Sequence, residues 1–174
     1  MFTEQAHYYT AVGRLPFVRT VCEIGFNAGH SAAVWLTSQP DLRLQSFDIG
    51  MHGYVGTAAN HIKAQFPGRF DIKLGDSVQA VPGFVQRHPG FVCDVLHVDG
   101  AHEGDIPRLD LANMRALARP HSILLMDDLQ CPFPHCRAPR TAWDGLKAAG
   151  EIEEWDCQSY EDGKRGWCVG RYVF

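Results

Sequence analysis

Five short apolar runs, each followed by a helical pattern, limit the folds open to this chain of 174 residues. Most runs are continuous rather than alternating, which is typical of strands covered on both faces of a parallel sheet. The runs cover residues 18–24, 42–48, 70–74, 91–98 and 122–126. The helical patterns cover residues 29–36, 55–66, 77–87, 106–117 and 141–149. This alternation predicts βα units whose right-handed crossovers place helices on both faces of one sheet.

The last part of the chain follows a different pattern. Residues 152–159 and 166–174 are β-rich, and the gap between them contains Asp162-Gly163, which is typical of a hairpin turn. We therefore expect an α/β fold with a doubly wound, Rossmann-like, mostly parallel seven-stranded sheet that ends in an antiparallel hairpin. Residues 1–174 are expected to form one domain, and Ser77 is expected to be the N-cap of its helix.

Composition and charge exclude several classes of function. The chain is 45% hydrophobic and 21% charged, with a net charge of −4, and its Lys and Arg residues are scattered. Nucleic-acid binders usually carry a basic face, so we expect neither a nucleic-acid nor a membrane partner. No apolar run reaches the roughly 18 residues of a membrane helix, and the first twenty residues are too polar for a signal peptide.

The six cysteines predict a reduced, cytoplasmic protein. Cys22 and Cys93 lie in apolar runs, where a thiol acts as a small buried hydrophobe. A chain of this length needs no disulfide framework. Cys131, His135 and Cys136 are spaced too closely for ordinary structural zinc, so this proline-rich segment is expected to form a stiff loop beside a pocket.

Acidic residues or glycines follow every predicted parallel strand. Because ligands of doubly wound sheets bind beyond the carboxyl ends of the strands, acids gathered there are the main functional signal. The positions are Glu23 with Gly25, then Asp48, Asp76, Asp99, and finally the pair Asp127 and Asp128.

The loop after the first strand differs from a dinucleotide-binding loop. Gly25 and Gly29 are separated by three residues and Glu23 precedes them, whereas the dinucleotide fingerprint is G-x-G-x-x-G. This arrangement favours a ligand with a cationic amino-acid end over a pyrophosphate.

The segment from Glu23 to Ala32 resembles the corresponding motif of class I S-adenosylmethionine-dependent methyltransferases, especially the catechol O-methyltransferase group and its bacterial small-molecule relatives. Asn27 stands where a middle glycine is usual. The resemblance implies S-adenosylmethionine as cofactor. It implies that Ser31 binds the methionine carboxylate, Asp48 the ribose and Ile49 the adenine face. The full set of cofactor-binding residues that we predict is Glu23, Gly25, Asn27, Ser31, Asp48, Ile49, Asp76, Ser77 and Asp99.

A metal site is predicted at Asp99, Asp127 and Asp128. Three carboxylates at neighbouring strand ends would repel one another unless a cation lay among them, and oxygen ligands suit Mg²⁺, Mn²⁺ or Ca²⁺. The catechol-type enzymes place their metal at matching positions, and related enzymes carry a general base where His102 stands. The predicted reaction is methyl transfer to a hydroxyl of a small molecule, such as a catechol, a sugar or a natural product.

Three alternatives remain open at this point: a metal-independent methyltransferase, an NAD-dependent oxidoreductase, and a non-catalytic binding module. Only about 20 residues precede the first predicted strand, so a second copy of the chain is expected to help close the acceptor pocket.

Overall fold

A computed structural model describes residues 3–161 and 163–174. Its centre is a seven-stranded sheet with the order β3-β2-β1-β4-β5-β7-β6. The five parallel strands are β1 (Thr20–Ile24), β2 (Arg43–Asp48), β3 (Phe70–Leu74), β4 (Val95–Val98) and β5 (Ile123–Met126). Strands β6 (Ile152–Tyr160) and β7 (Arg165–Tyr172) pair antiparallel, and β7 joins the sheet beside β5. The predicted fold class is confirmed.

Within the described residues, six α-helices cover the two faces of this sheet. They are α1 (Thr3–Gly13), α2 (His30–Ser38), α3 (Val55–Gln65), α4 (Ser77–Arg87), α5 (Ile106–Met114) and α6 (Arg137–Ala148). Short 3-10 helices occupy Arg115–Leu117 and Pro134–Cys136. The central strands β4 and β5 are buried along their whole length, which explains why their sequences are continuous rather than alternating.

The chain reverses its order of strands between β1 and β4. Because β1 pairs with both β2 and β4, the loops that follow β1 and β4 emerge side by side at the carboxyl edge. This is the switch point at which a doubly wound sheet opens a crevice for a ligand.

Three local features differ from the expectations above. Helix α1 was not predicted, although Gln5, Tyr9 and Val12 form its buried side at helical spacing. Asp76 is the N-cap of α4 in place of Ser77, because its carboxylate accepts a hydrogen bond from the Val78 N–H at 3.0 Å. The predicted hairpin turn includes Asp162, which lies outside the described residues.

The expectation of free thiols is wrong for this structure. All six cysteines are paired, as Cys22–Cys93, Cys131–Cys136 and Cys157–Cys168. Two of these pairs join neighbouring strand regions that the sheet brings together, a proximity that sequence spacing does not reveal. Among the described residues, no helix is both long enough and apolar enough to cross a membrane.

Candidate active site

The loop between β1 and α2 forms the floor of the site. Gly25 has φ 97°, and a Cβ there would lie 1.8 Å from the carbonyl oxygen of Asp99. Only glycine therefore permits the loops after β1 and β4 to touch. Asn27 has φ 50°, a left-handed conformation that asparagine tolerates better than most residues. This conformation explains how Asn27 can replace the glycine that is usual at this position.

A cavity of about 850 Å³ opens above the ends of β1, β2 and β4, and we call it the large cavity. Asp48 organises one side of it, accepting hydrogen bonds from the Asn27 N–H at 2.8 Å and the Gly50 N–H at 2.7 Å. Ile49 presents an apolar side chain that is 64% exposed. The predicted residues in its lining are Gly25, Asn27, Asp48, Ile49, Asp76, Ser77, Asp99 and His102.

A smaller cavity of about 230 Å³ shares Gly25, Asn27 and Asp99 with the large cavity, and we call it the acidic cavity. Its lining combines the strand-end acids with side chains from α1, α2 and the hairpin. Its lining includes Gln5, Tyr9, Ser31, Asp99, Asp127, Asp128, Tyr160 and Arg165.

Asp99, His102 and Asp128 converge where the two cavities meet. Single ligand atoms from these three side chains all lie within 4.8 Å of one another. His102 Nε2 lies 3.2 Å from Asp128 Oδ2, and Arg165 Nη1 lies 3.3 Å from Asp128 Oδ1. Asp128 also has φ 54°, a left-handed conformation that a non-glycine residue rarely adopts and that is often found at functional sites.

The buried carboxylates of the acidic cavity disfavour their own ionisation. Burial, followed by repulsion from Asp127 and Asp128, raises the pKa of Asp99 well above its usual range. Burial and the charge of Asp128 likewise raise the pKa of Asp127. A bound cation would offset this repulsion, so the electrostatics of the cavity suit a positively charged ligand.

Asp127 is held by α1 instead of pointing freely into the cavity. Its Oδ2 accepts a hydrogen bond from Gln5 Nε2 at 2.5 Å, and its Oδ1 accepts one from the Asp128 N–H at 2.8 Å. Gln5 Nε2 also donates to Tyr9 Oη at 3.1 Å, and Tyr9 Oη lies 3.0 Å from His97 Nε2. Helix α1 therefore positions one of the three predicted metal ligands.

Glu23 lies beneath the glycine loop and outside the lining of both cavities. Its fully buried carboxylate accepts hydrogen bonds from Ser31 Oγ at 2.9 Å and Ser46 Oγ at 2.6 Å. The prediction that Glu23 binds the cofactor is untested, but these contacts support a role in positioning Ser31. Ser31 itself reaches the acidic cavity.

Sequence reasoning missed Gln5, Tyr9 and Arg165, and it placed His135 only in a loop beside a pocket. The helical spacing of Gln5 and Tyr9 with Val12 could have revealed a buried face on α1, but the contact of α1 with Asp127 could not have been inferred. His135 Nε2 lies 3.9 Å from Asp128 Oδ1, because the Cys131–Cys136 segment folds back over the site. The predicted role of that segment as a pocket wall is supported, since Pro134 and His135 line the large cavity.

Several solved structures with this architecture are O-methyltransferases. An O-methyltransferase from Bacillus cereus, solved with SAH, matches with a TM-score of 0.81 at 12% identity over 99% of this chain and 82% of that one. TomG from Streptomyces achromogenes, involved in tomaymycin synthesis and solved with SAM, matches with a TM-score of 0.80 at 18% identity over 100% and 82%. CalS11, a TDP-rhamnose 3'-O-methyltransferase of calicheamicin biosynthesis, matches with a TM-score of 0.75 at 15% identity over 98% and 80%.

No curated protein matches the chain. A family model described as a methyltransferase domain matches residues 22–129, which contain the glycine loop, Asp48, Asp99 and both acids after β5. The sheet order and this match together argue against the alternative of an NAD-dependent oxidoreductase. The chain thus belongs to the methyltransferase domain family and is a class I S-adenosylmethionine-dependent methyltransferase.

Proposed function

We propose that the chain is a metal-dependent O-methyltransferase that transfers a methyl group from S-adenosylmethionine to a hydroxyl of a small molecule. The observation that carries this proposal is the convergence of Asp99, His102 and Asp128 where the two cavities meet. At that point the carboxylates of Asp99 and Asp128 can bind a cation, and the imidazole of His102 can accept a proton from a reacting hydroxyl.

The large cavity suits the nucleoside part of the cofactor. Asp48 retains acceptor capacity for ribose hydroxyls, because each of its oxygens receives one backbone hydrogen bond and has a further lone pair. Ile49 can lie against the adenine face, with Asp76 and Ser77 at the adenine edge. The methionine end then reaches Asn27, Ser31 and Asp99, which line the acidic cavity.

The acids after β4 and β5 fit a divalent cation. Burial first, and then repulsion from Asp127 and Asp128, raises the pKa of Asp99, and a bound cation would offset that repulsion. The oxygen donors of Asp99 and Asp128 are ligands that Mg²⁺, Mn²⁺ or Ca²⁺ prefer. We assign Asp127 to the same set, held in place by Gln5. A cation bound there would supply a Lewis acid that makes a nearby hydroxyl more acidic.

His102 is the proposed general base. S-adenosylmethionine bound beside it would supply a methyl group on an activated sulfonium, and transfer of that group to the acceptor oxygen would leave the electron pair of the broken carbon–sulfur bond on sulfur. The hydroxyl proton moves to a ring nitrogen of His102, and the carboxylate of Asp128 at 3.2 Å stabilises the resulting imidazolium. The remaining residues contribute by holding the two reactants in line.

Arg165 supports a second candidate, a metal-independent methyltransferase. Its guanidinium lies 3.3 Å from Asp128, so it supplies positive charge to the acidic cavity. In that enzyme Arg165 would neutralise the acid cluster, and His102 alone would deprotonate the acceptor. Chelation separates the two candidates, since only the metal-dependent enzyme loses activity.

The proposed acceptor is a catechol, a sugar or a natural product. Two structural neighbours support this range: TomG, which is involved in tomaymycin synthesis, and CalS11, which is a TDP-rhamnose 3'-O-methyltransferase. The aromatic rings of Tyr9 and Tyr160 in the acidic cavity offer apolar walls for a ring-shaped acceptor. We also propose that a second copy of the chain completes the wall of the acceptor pocket.

Two observations disagree on the cellular compartment of the protein. The sequence predicts a cytoplasmic enzyme, whereas three disulfides are typical of an oxidising environment. Thiol titration of protein purified and unfolded without reductant distinguishes them. A reduced cytoplasmic chain gives six thiols and the fully paired chain gives none.

The proposed function is tested by methyl transfer from labelled S-adenosylmethionine to a panel of catechols, phenols and nucleotide sugars, with Mg²⁺, Mn²⁺ or excess chelator. We expect turnover with metal and its loss in chelator and in Asp128→Ala. Asp105→Asn is the matched control, because Asp105 is an exposed acid outside both cavities. Full turnover in chelator would favour the metal-independent enzyme.

A further inference from the structure

Asp110 is a buried acid that the proposed reaction does not use. It lies on α5, is fully buried, and its Oδ1 accepts a hydrogen bond from Ser77 Oγ at 2.6 Å. Its Oδ2 has no hydrogen-bond partner within the described ranges 3–161 and 163–174. Burying a carboxylate is costly unless it is paired, so its retention here calls for a local role.

The position of Asp110 links it to the large cavity. A Cβ on Gly100 would lie 2.8 Å from Asp110 Oδ2, so the carboxylate packs directly beneath the loop that follows β4. Ser77 and Gly100 both line the large cavity. Asp110 therefore lies immediately behind the surface on which we place adenine.

The contact fixes the direction of the Ser77 hydroxyl. Burial raises the pKa of Asp110 to about 6, so the carboxyl is ionised at pH 8 and can only accept hydrogen bonds. The Ser77 proton must then point to Asp110, which leaves the lone pairs of Ser77 Oγ for the cavity. A hydroxyl held in this way acts as an acceptor toward a ligand.

We propose that Asp110 is a positioning residue that makes Ser77 an obligate acceptor and thereby selects the 6-amino group of adenine. The 6-amino group is the hydrogen-bond donor on the adenine edge, whereas the ring nitrogens are acceptors that the Ser77 lone pairs would repel. This inference rests on the proposed placement of S-adenosylmethionine in the large cavity.

The test compares two ligands by calorimetry at pH 8: adenosylhomocysteine and its analogue with hydrogen in place of the 6-amino group. Loss of one neutral hydrogen bond, with a partner left unpaired, should weaken binding to the wild type by about 10-fold. Ser77→Ala should bind both ligands within about 2-fold of each other, because the acceptor is gone.

Asp110→Asn should lose most of the discrimination, because an amide does not fix the hydroxyl proton. The double variant should resemble Ser77→Ala, since two residues that act through one contact are not additive. Asp105 is an exposed acid at the N-cap of the same helix, and Asp105→Asn should keep the wild-type ratio of the two affinities.

The results of these measurements test whether Asp110 acts through Ser77. The inference would be overturned by a wild-type affinity ratio of the two ligands near one, or by an unchanged ratio in Ser77→Ala. It would also be overturned if Asp110→Asn weakened both ligands equally, since that result shows a purely structural role. Should Asp110→Asn fail to fold, a wild-type ratio near one or an unchanged ratio in Ser77→Ala would still overturn the inference. If the wild type binds neither ligand, the cofactor placement itself fails, which is a different result from binding without discrimination.

Discussion

The large cavity and the acidic cavity share Gly25, Asn27 and Asp99, yet they are built in different ways. The large cavity is lined mainly by residues directly after strands, together with the start of α5. The acidic cavity draws on side chains as distant in sequence as Gln5 and Arg165. Sites of the first kind follow from local motifs, whereas those of the second depend on how distant elements pack.

This difference predicts separable functions. Changes to the residues that we assign to the nucleoside in the large cavity should act on cofactor affinity, and changes to the cluster of Asp99, His102 and Asp128 or to its support should act on turnover. The following variants test that separation, beginning with the largest expected effect.

His102→Gln should lower turnover by about 10²- to 10⁴-fold, the usual contribution of a general base. The affinity for adenosylhomocysteine should stay nearly constant, because the variant keeps a polar side chain at the edge of the large cavity. Single-turnover kinetics measures this. A variant with turnover close to wild type would make His102 a bystander.

Asp48→Ala should weaken adenosylhomocysteine binding by about 10- to 100-fold, because a charged acceptor for the ribose is lost along with the contact to the Asn27 N–H. Turnover at saturating cofactor should change little. Calorimetry combined with steady-state kinetics separates the two quantities. Asp41→Ala, on the exposed turn before β2, is the control. Unchanged affinity in Asp48→Ala would remove the ribose assignment.

Gln5→Leu should reduce turnover by about 10-fold and leave cofactor affinity intact, because Asp127 loses a charge-assisted hydrogen bond from α1. The melting temperature should also fall, since a buried carboxylate oxygen is left unpaired. Glu4→Leu changes an exposed neighbour on the same helix and should have neither effect. Should Gln5→Leu weaken adenosylhomocysteine as strongly as Asp48→Ala does, the two cavities would not act separately.

Asp110→Asn should raise the melting temperature by a few degrees at pH 8 and by less at pH 4. The pKa of Asp110 is about 6 in the fold, above its ordinary value of 3.8, so the native carboxyl keeps a proton that the unfolded chain has lost between these values. The wild type therefore loses stability relative to the variant as the pH rises through this window. Thermal denaturation at both pH values checks the sign, and an equal difference at pH 4 and pH 8 would contradict it.

The sequence revealed the sheet because its signals were local. The apolar runs predicted all five parallel strands, and the acids at their ends include Asp48 and Asp76, which line the large cavity. As a cofactor-binding residue, Ser77 was predicted only through the resemblance to methyltransferases. The sequence did not reveal α1 against the acidic cavity or the hydrogen bond between Gln5 and Asp127, which spans 122 positions. Nor could it pair the cysteines, because Cys22 and Cys93 meet only through the adjacency of β1 and β4.

The central claim is that the acids after β4 and β5 bind a divalent cation beside the residues of the large cavity that hold the nucleoside part of the cofactor. The most direct measurement is Mn²⁺ titration followed by electron paramagnetic resonance, on the wild type, Asp48→Ala, Asp128→Ala and the control Asp105→Asn. We expect one bound Mn²⁺ in the wild type, Asp48→Ala and Asp105→Asn, and its loss in Asp128→Ala. No bound Mn²⁺ in the wild type, or equal binding in Asp128→Ala, would contradict the claim.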